Sequence, residues 1–308
     1  MIALPSQDLL SQKTYARCIR ATRRVRWNTD THITQQRTLK QHEFLLPTGM
    51  SLVDDCEYLT DTEQTLVTRI QARSYANFME LIERSMAFKN HQLSQAHLMG
   101  DSSALEAFMS LSADKMKHES MFRELGCMVD EQLPDGYHFL VDSHDVIEAL
   151  NSSDNCAALA FILHQEYSVQ AHYKQSLKRT PYLSPIFKDA FYYHWKEEAE
   201  HVRVHELEFS IARQGECVPE HAFNDFLELL QILDDAVQAQ AHTDVDYFLE
   251  SSKVTLSGKQ ASRLRETWIE AYRSQHLQSS FTNSHFSDVV DRVLSRKQLK
   301  RVQVFLGL

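Results

Sequence analysis

Glycine and proline are scarce in this chain, with only 7 Gly and 6 Pro in 308 residues. Tight turns and strand-rich folds draw on both, so their scarcity argues for long helices joined by few turns. Basic charge is not in excess. Lys and Arg number 32 against 42 Asp and Glu, giving a net charge of -10. Without a basic stripe or tail, nucleic acid is not an expected partner. The longest basic cluster, Arg20 to Arg26, is local and reads as a solvated face or loop contact. No apolar run approaches the roughly 20 residues that span a bilayer, so a membrane is not expected as a partner either. The five cysteines are odd in number, widely spaced and form no C-x-x-C pair. That pattern predicts reduced thiols in a cytoplasmic protein rather than a disulfide framework. The opening Met1-Ile-Ala-Leu-Pro5 turns polar at once and does not read as a secretory signal.

What is present is helical periodicity and an unusual supply of imidazole, with 16 His. Residues 1–59 read as an irregular to helical segment packed on a core, with a loop at Phe44-Leu-Leu-Pro47-Thr-Gly49. From Thr60 the pattern predicts a helix to about Gln92, capped by the polar run Asp61-Thr-Glu63. Further helices are expected over 103–125, stopping at Gly126, over 143–150, over 155–178, and over 185–214. Pro181 and Pro185 punctuate the gap between the last two. Three more helices, over 223–250, 260–278 and 285–304, follow short linkers and are expected to pack on a bundle spanning 60–215. Nothing reads as a strand. The fold class is therefore all-α: a four-helix bundle core with additional C-terminal helices.

The densest cluster of possible metal ligands is His194-Trp-Lys-Glu197-Glu198-Ala-Glu200-His201. His194, Glu198 and His201 are spaced i, i+4, i+7, which places them on one helical stripe. Phe187, Ala190, Phe191 and Val204 share that stripe. Carboxylates and imidazoles are costly to bury unpaired, and a metal ion explains three of them together. Glu197 and His205 flank the face and could orient ligands. On the first long helix Glu83 lies among Ala72, Ala76, Met79, Met86 and Ala87, whereas Glu80 points towards Arg69, Arg73 and Arg84 and reads as a surface ion pair. On the second, His118 is centred in a face of Ala107, Leu111, Phe122 and Leu125, with Asp114 one turn earlier. On the third, Glu166 sits in a stripe of Leu159, Ile162, Leu163, Val169 and Tyr173, while His164 and His172 project away from it. For each of these the alternative is a paired core or edge residue. Tyr75, Tyr167 and Tyr173 could serve as redox or hydrogen-bond partners, or simply pack.

These helices resemble the ferritin-like di-iron carboxylate superfamily, in which two helices each give a Glu and two each give a Glu-x-x-His pair. The His194-x-x-x-Glu198-x-x-His201 element resembles its p-aminobenzoate N-oxygenase (AurF-type) branch, over roughly residues 60–212. That resemblance implies a helical bundle, iron, O2 activation and oxidation of a small organic molecule, with an arylamine as one candidate. Its ligand set falls on Glu83, His118, Glu166, His194, Glu198 and His201. One position departs from the pattern, since Lys115 stands where the branch has a bridging Glu. Four carboxylates balance two divalent ions, whereas three carboxylates and one Lys balance a single ion and the ammonium. The half nearer His194, His201, Glu166 and Glu198 is expected to keep a full ligand set, and the half nearer Glu83 and His118 to be depleted. One or two ions per chain are thus open. Iron is the expected metal, with manganese as an alternative and zinc compatible with the donors. Two other readings stand beside an O2-dependent oxidoreductase. One is a degenerate scaffold or binding protein in which Lys115 replaces the metal charge, and the other, weaker, is an iron store. A homodimer is the default assembly on base rates.

Overall fold

The computed structural model describes residues 7–175, 177 and 183–308, giving only the backbone of 7–11 and 175. The stretch Met1–Pro5, the expected helix end near Lys178 and the Pro181 turn lie outside the described residues. Eleven α-helices are present among the described residues: α1 (Gln7–Thr22), α2 (Thr48–Ser51), α3 (Asp61–Ser94), α4 (Ser102–Asp130), α5 (Ser143–Ser152), α6 (Asn155–Gln175), α7 (Pro185–Ala212), α8 (Glu220–Ser252), α9 (Gly258–Arg273), α10 (Ser284–Val293) and α11 (Arg296–Leu306). The described residues hold no strand, only one isolated bridge between Phe44 and Leu183. No described helix is long and apolar enough to cross a membrane.

The core is a ferritin-like four-helix bundle. α3 lies along α4, α6 lies along α7, and the two pairs face each other through α4–α7 and α3–α6 contacts. The C-terminal helices then coat it, α8 against α6 and α3, and α9 against α8. α3 starts where the sequence says it should. Thr60 accepts from Glu63 N, and Glu63 accepts from Thr60 N at 2.7 Å, so each end of the capping box satisfies an amide that the helix leaves open. α4 begins at Asp101, whose carboxylate accepts from Ser103 N and Ala104 N.

Three expectations need correction. α4 does not stop at Gly126 but runs through it to Asp130. Gly126 is a packing glycine there: a Cβ would meet Arg73 Nη1 at 2.6 Å, where the guanidinium crosses α4 to reach Asp130. The helix expected over 285–304 is two, because Ser295 takes an extended conformation and caps α11 through a box with Gln298. The helix expected to reach Gln278 ends as α9 at Arg273 and continues in a wider turn over Ser274–Gln278. In the N-terminal segment α1 packs against both α4 and α7.

Candidate metal centre

Each core helix projects its polar residues into the bundle where the surrounding stripe is apolar. Glu83, Lys115, His118, Glu166, His194, Glu198 and His201 are all at most 1% exposed. Two groups of donors converge, with ligand atoms lying within 4.8 Å of one another in each. The first is Glu83, His118, His194 and Glu198; the second is Glu166, Glu198 and His201. Glu198 belongs to both, as expected of a bridging carboxylate. Its Oε1 lies 3.0 Å from His118 Nδ1, 3.2 Å from His201 Nδ1 and 3.5 Å from His194 Nε2. Glu83 reaches the same imidazoles from α3, 3.2 Å from His118 Nδ1 and 3.0 Å from His194 Nε2.

This partition differs from the one expected. His194 joins Glu83 and His118, not Glu166 and His201. It does so because about two turns of α7 separate it from His201 and carry it towards α3, and its ring packs edge-on against His118 at 4.5 Å between centroids. The Glu83/His118 half therefore has four donors, and the Glu166/His201 half has three.

Lys115 accounts for the asymmetry. Its Nζ donates to Glu198 Oε2 at 2.6 Å and lies 3.2 Å from Glu166 Oε1 and 3.6 Å from Glu83 Oε2. The ammonium is thus nearest the two carboxylates of the three-donor half. Burial opposes its charge, but Glu198, Glu83 and Glu166 together hold its pKa above the ordinary lysine range. Burial likewise pushes the Glu83 carboxyl up, and Lys115 with the His118 and His194 hydrogen bonds overcomes this, pulling it down to about 2. Glu198 is held well below the usual carboxylate range by Lys115 and His201 against the same burial.

The imidazoles are oriented from outside the cluster. Glu197 Oε2 accepts from His118 Nε2 at 2.8 Å, and Lys117 donates to Glu197 Oε1 at 2.6 Å. Asp114 Oδ2 lies 3.3 Å from His201 Nε2, on the side of the ring away from Glu198. Asp114 therefore braces His201 and takes no place in either donor group. His205, one turn beyond His201, places Nδ1 2.8 Å from Glu166 Oε1 and bonds Asn90 Oδ1 through Nε2. Despite burial, His201 is raised to about 9 by Glu198 and Asp114, and His118 is raised well above its ordinary value by Glu197, Glu198 and Glu83.

The remaining sequence candidates fall where their periodicity put them. Glu80 pairs with Arg84 at 2.6 Å. His164 turns to Leu277 O and His172 to Ser279 Oγ, both at 2.9 Å. Tyr167 donates to Glu206, Tyr173 stacks on Trp195, and Tyr75 is buried between Phe122 and Phe191. One neighbour had no sequence signal. Trp27, from the loop after α1, stacks on His118 with rings 5.9 Å apart and 7° from parallel. A loop residue carries no periodicity, so only the fold reveals it.

The donor set suits a cation. Two carboxylates and two imidazoles converge from three helices, and neither Glu166 oxygen nor His194 Nδ1 has an aligned hydrogen bond among the described residues. Hard oxygen and borderline nitrogen donors together match iron, manganese or zinc.

No protein-family model matches the chain, and no curated protein matches it. Among solved structures it is similar to an R2-like ligand-binding oxidase point mutant with anaerobically reconstituted Mn/Fe cofactor, at 17% identity and a TM-score of 0.44, covering 87% of this chain and 92% of that one. The same mutant with the aerobically reconstituted cofactor is similar at 16% identity, with the same TM-score and coverage. The likeness is loose.

Proposed function

We propose that this protein is a metal-dependent oxidoreductase of the di-iron carboxylate kind, with a centre made asymmetric by Lys115, acting with O2 on a small organic molecule. Glu83, His118, His194 and Glu198 would hold one ion, iron or manganese. The observation that carries the reading is the convergence of these four buried donors within 4.8 Å, sharing Glu198 with a second, three-donor group. Bound there, such an ion supplies the one-electron chemistry with O2 that closed-shell side chains lack.

The chain's own residues do the rest. Glu83 and Glu198 provide negative charge that the dry interior makes strong. Glu197 fixes the His118 ring so that Nδ1 faces the cluster, and Asp114 does the same for His201. Phe122 and Phe191, with Tyr75 between them, exclude water on the α3–α4 side. Lys115 supplies the positive charge that a second ion would bring to Glu166 and Glu198. The substrate class follows from the AurF-type resemblance, which favours a small organic molecule such as an arylamine.

A second reading has one specific observation in its favour. The Lys115 ammonium already touches three carboxylates, 2.6 to 3.6 Å away. In that reading the ion-paired bundle is a scaffold and the protein acts by binding. Elemental analysis after anaerobic reconstitution with ferrous iron separates the two. One ion per chain is the expected result. Two would mean that Lys115 yields its place to a second ion, and none would favour the scaffold.

A further inference from the structure

The faces outside the metal cluster carry one feature that its ligand chemistry does not use, a continuous run of indole and phenol rings leading away from His118. Trp27 is 6% exposed and stacks on His118. Tyr193 stacks on Trp27 at 5.9 Å, and Tyr192 meets Tyr193 at 5.2 Å. Tyr192 in turn lies 5.8 Å from Tyr173 and 6.0 Å from Trp195, and those two stack at 4.4 Å. The last four rings are partly exposed, so the run ends at the surface. Trp and Tyr are the side chains that give up one electron most readily without a metal or a thiol. Rings in van der Waals contact pass that electron on far faster than a single long jump would.

Resting on the metal-dependent reading above, we propose that Trp27, Tyr193, Tyr192, Tyr173 and Trp195 form a one-electron relay between the buried centre and the surface. The oxidant is the bound ion after reaction with O2 or peroxide. The Trp27 indole would give that ion one electron through His118, which balances the ion's fall by one oxidation unit. Trp27 Nε1 has no hydrogen-bond partner among the described residues, so the oxidised indole has no neighbour to take its proton. It is refilled by an electron from Tyr193, whose phenolic proton leaves to water. Tyr193 regains a proton from water as Tyr192 gives it an electron and sheds its own proton to water, and the vacancy passes in the same way to the Tyr173–Trp195 pair, where a one-electron reductant in solution, with a proton from water, fills it. The Lys117 ammonium lies 4.6 Å from the Trp27 ring centre and would oppose a positive charge there. Glu197 and Asp114 counter it at 2.6 and 3.3 Å, so the local charge beside the indole is not positive.

The test uses the full chain loaded with ferrous iron, as wild type, Trp27→Phe and Tyr193→Phe. Iron content and circular dichroism are measured first. Each protein is then treated with hydrogen peroxide without substrate or reductant, and oxidised residues are mapped by peptide mass spectrometry. Exposed Met99 serves as the internal gauge of diffusing oxidant. In wild type, oxygen should be added at Tyr192, Tyr193, Tyr173 and Trp195. Trp27→Phe should lower this by an order of magnitude relative to Met99, and Tyr193→Phe should spare the rings beyond it while Trp27 is oxidised more. Equal labelling of the outer rings in all three proteins would overturn the relay, as would iron-loaded wild type oxidised only at Met99 and other exposed sulfurs. Wild type that takes up no iron would overturn the metal reading itself, and the elemental analysis reports that separately. Tyr193 is partly exposed, so its variant keeps the test alive if loss of the buried indole unfolds the chain.

Discussion

Replacing Lys115 tests the electrostatic logic of the bundle most directly. Among the described residues this ammonium is the one lysine within reach of Glu83, Glu166 and Glu198, all at most 1% exposed. Lys115→Met keeps the length and apolar stem but leaves the three carboxylates facing only the imidazoles of His118, His194, His201 and His205. Breaking a buried pair by removing one partner costs about 3–5 kcal/mol. With a melting shift of about 2 °C per kcal/mol for a chain larger than 250 residues, the loss is about 6–10 °C. The compensating variant is Lys115→Glu, which restores a carboxylate at the departing position. It should be still less stable without metal, since a fourth negative charge joins the cluster. With ferrous iron it should recover and bind about one ion more per chain than wild type, because binding to the folded state adds about 2.7 kcal/mol at a hundredfold excess over Kd. Differential scanning calorimetry with and without ferrous iron, paired with elemental analysis, gives both readouts. If metal-free Lys115→Met melts with the wild type, the ammonium is not what balances the carboxylates. If Lys115→Glu binds no more metal than wild type, Lys115 does not stand in an ion's place.

Three further outcomes follow from the same geometry. His194→Ala removes a donor from the four-donor group and His201→Ala removes one from the three-donor group, so metal affinity measured by chelator competition should fall much more for His194; equal losses would refute the partition. Glu197→Gln leaves every donor in place but loses the carboxylate that orients His118, and should weaken metal affinity about 10–100-fold in the same titration. Asp244, buried on α8, is raised to about 7 by burial in spite of hydrogen bonds from Ser74, Tyr272 and Gln240. Because the folded state holds this proton more tightly than the unfolded state, the stabilisation is full below pH 3.9 and is lost as pH rises through 7, a change of about 4 kcal/mol at 1.36 kcal/mol per unit. Subtracting the urea stability of Asp244→Asn from that of wild type at each pH between 4 and 8 should give this falling curve, and a flat difference would show that the carboxylate titrates normally.

Much of this protein follows from one-dimensional pattern, because helical periodicity is local. The stripe of Glu83 on α3, of Glu166 on α6 and of His194, Glu198 and His201 on α7 is set by 3.6 residues per turn whatever the helices pack against. The capping boxes at Thr60 and Ser295 are equally local, but the helix expected over 285–304 ran through the Ser-x-x-Gln spacing that separates α10 from α11. Gly126 misled for a complementary reason. A glycine serves a helix end or a close contact equally well, and only the approach of Arg73 decides which. The sequence alone determined an all-α chain and the donors on each helix. It could not assign those donors to halves of a centre, since the rotation and stagger of α3 against α7 bring His194 to Glu83 and away from Glu166. It did anticipate Lys115 in an ion's place against these carboxylates, but it could not bring Trp27 from a distant loop onto His118. Those contacts join residues far apart in sequence, so packing between helices decides them, not propensity within one.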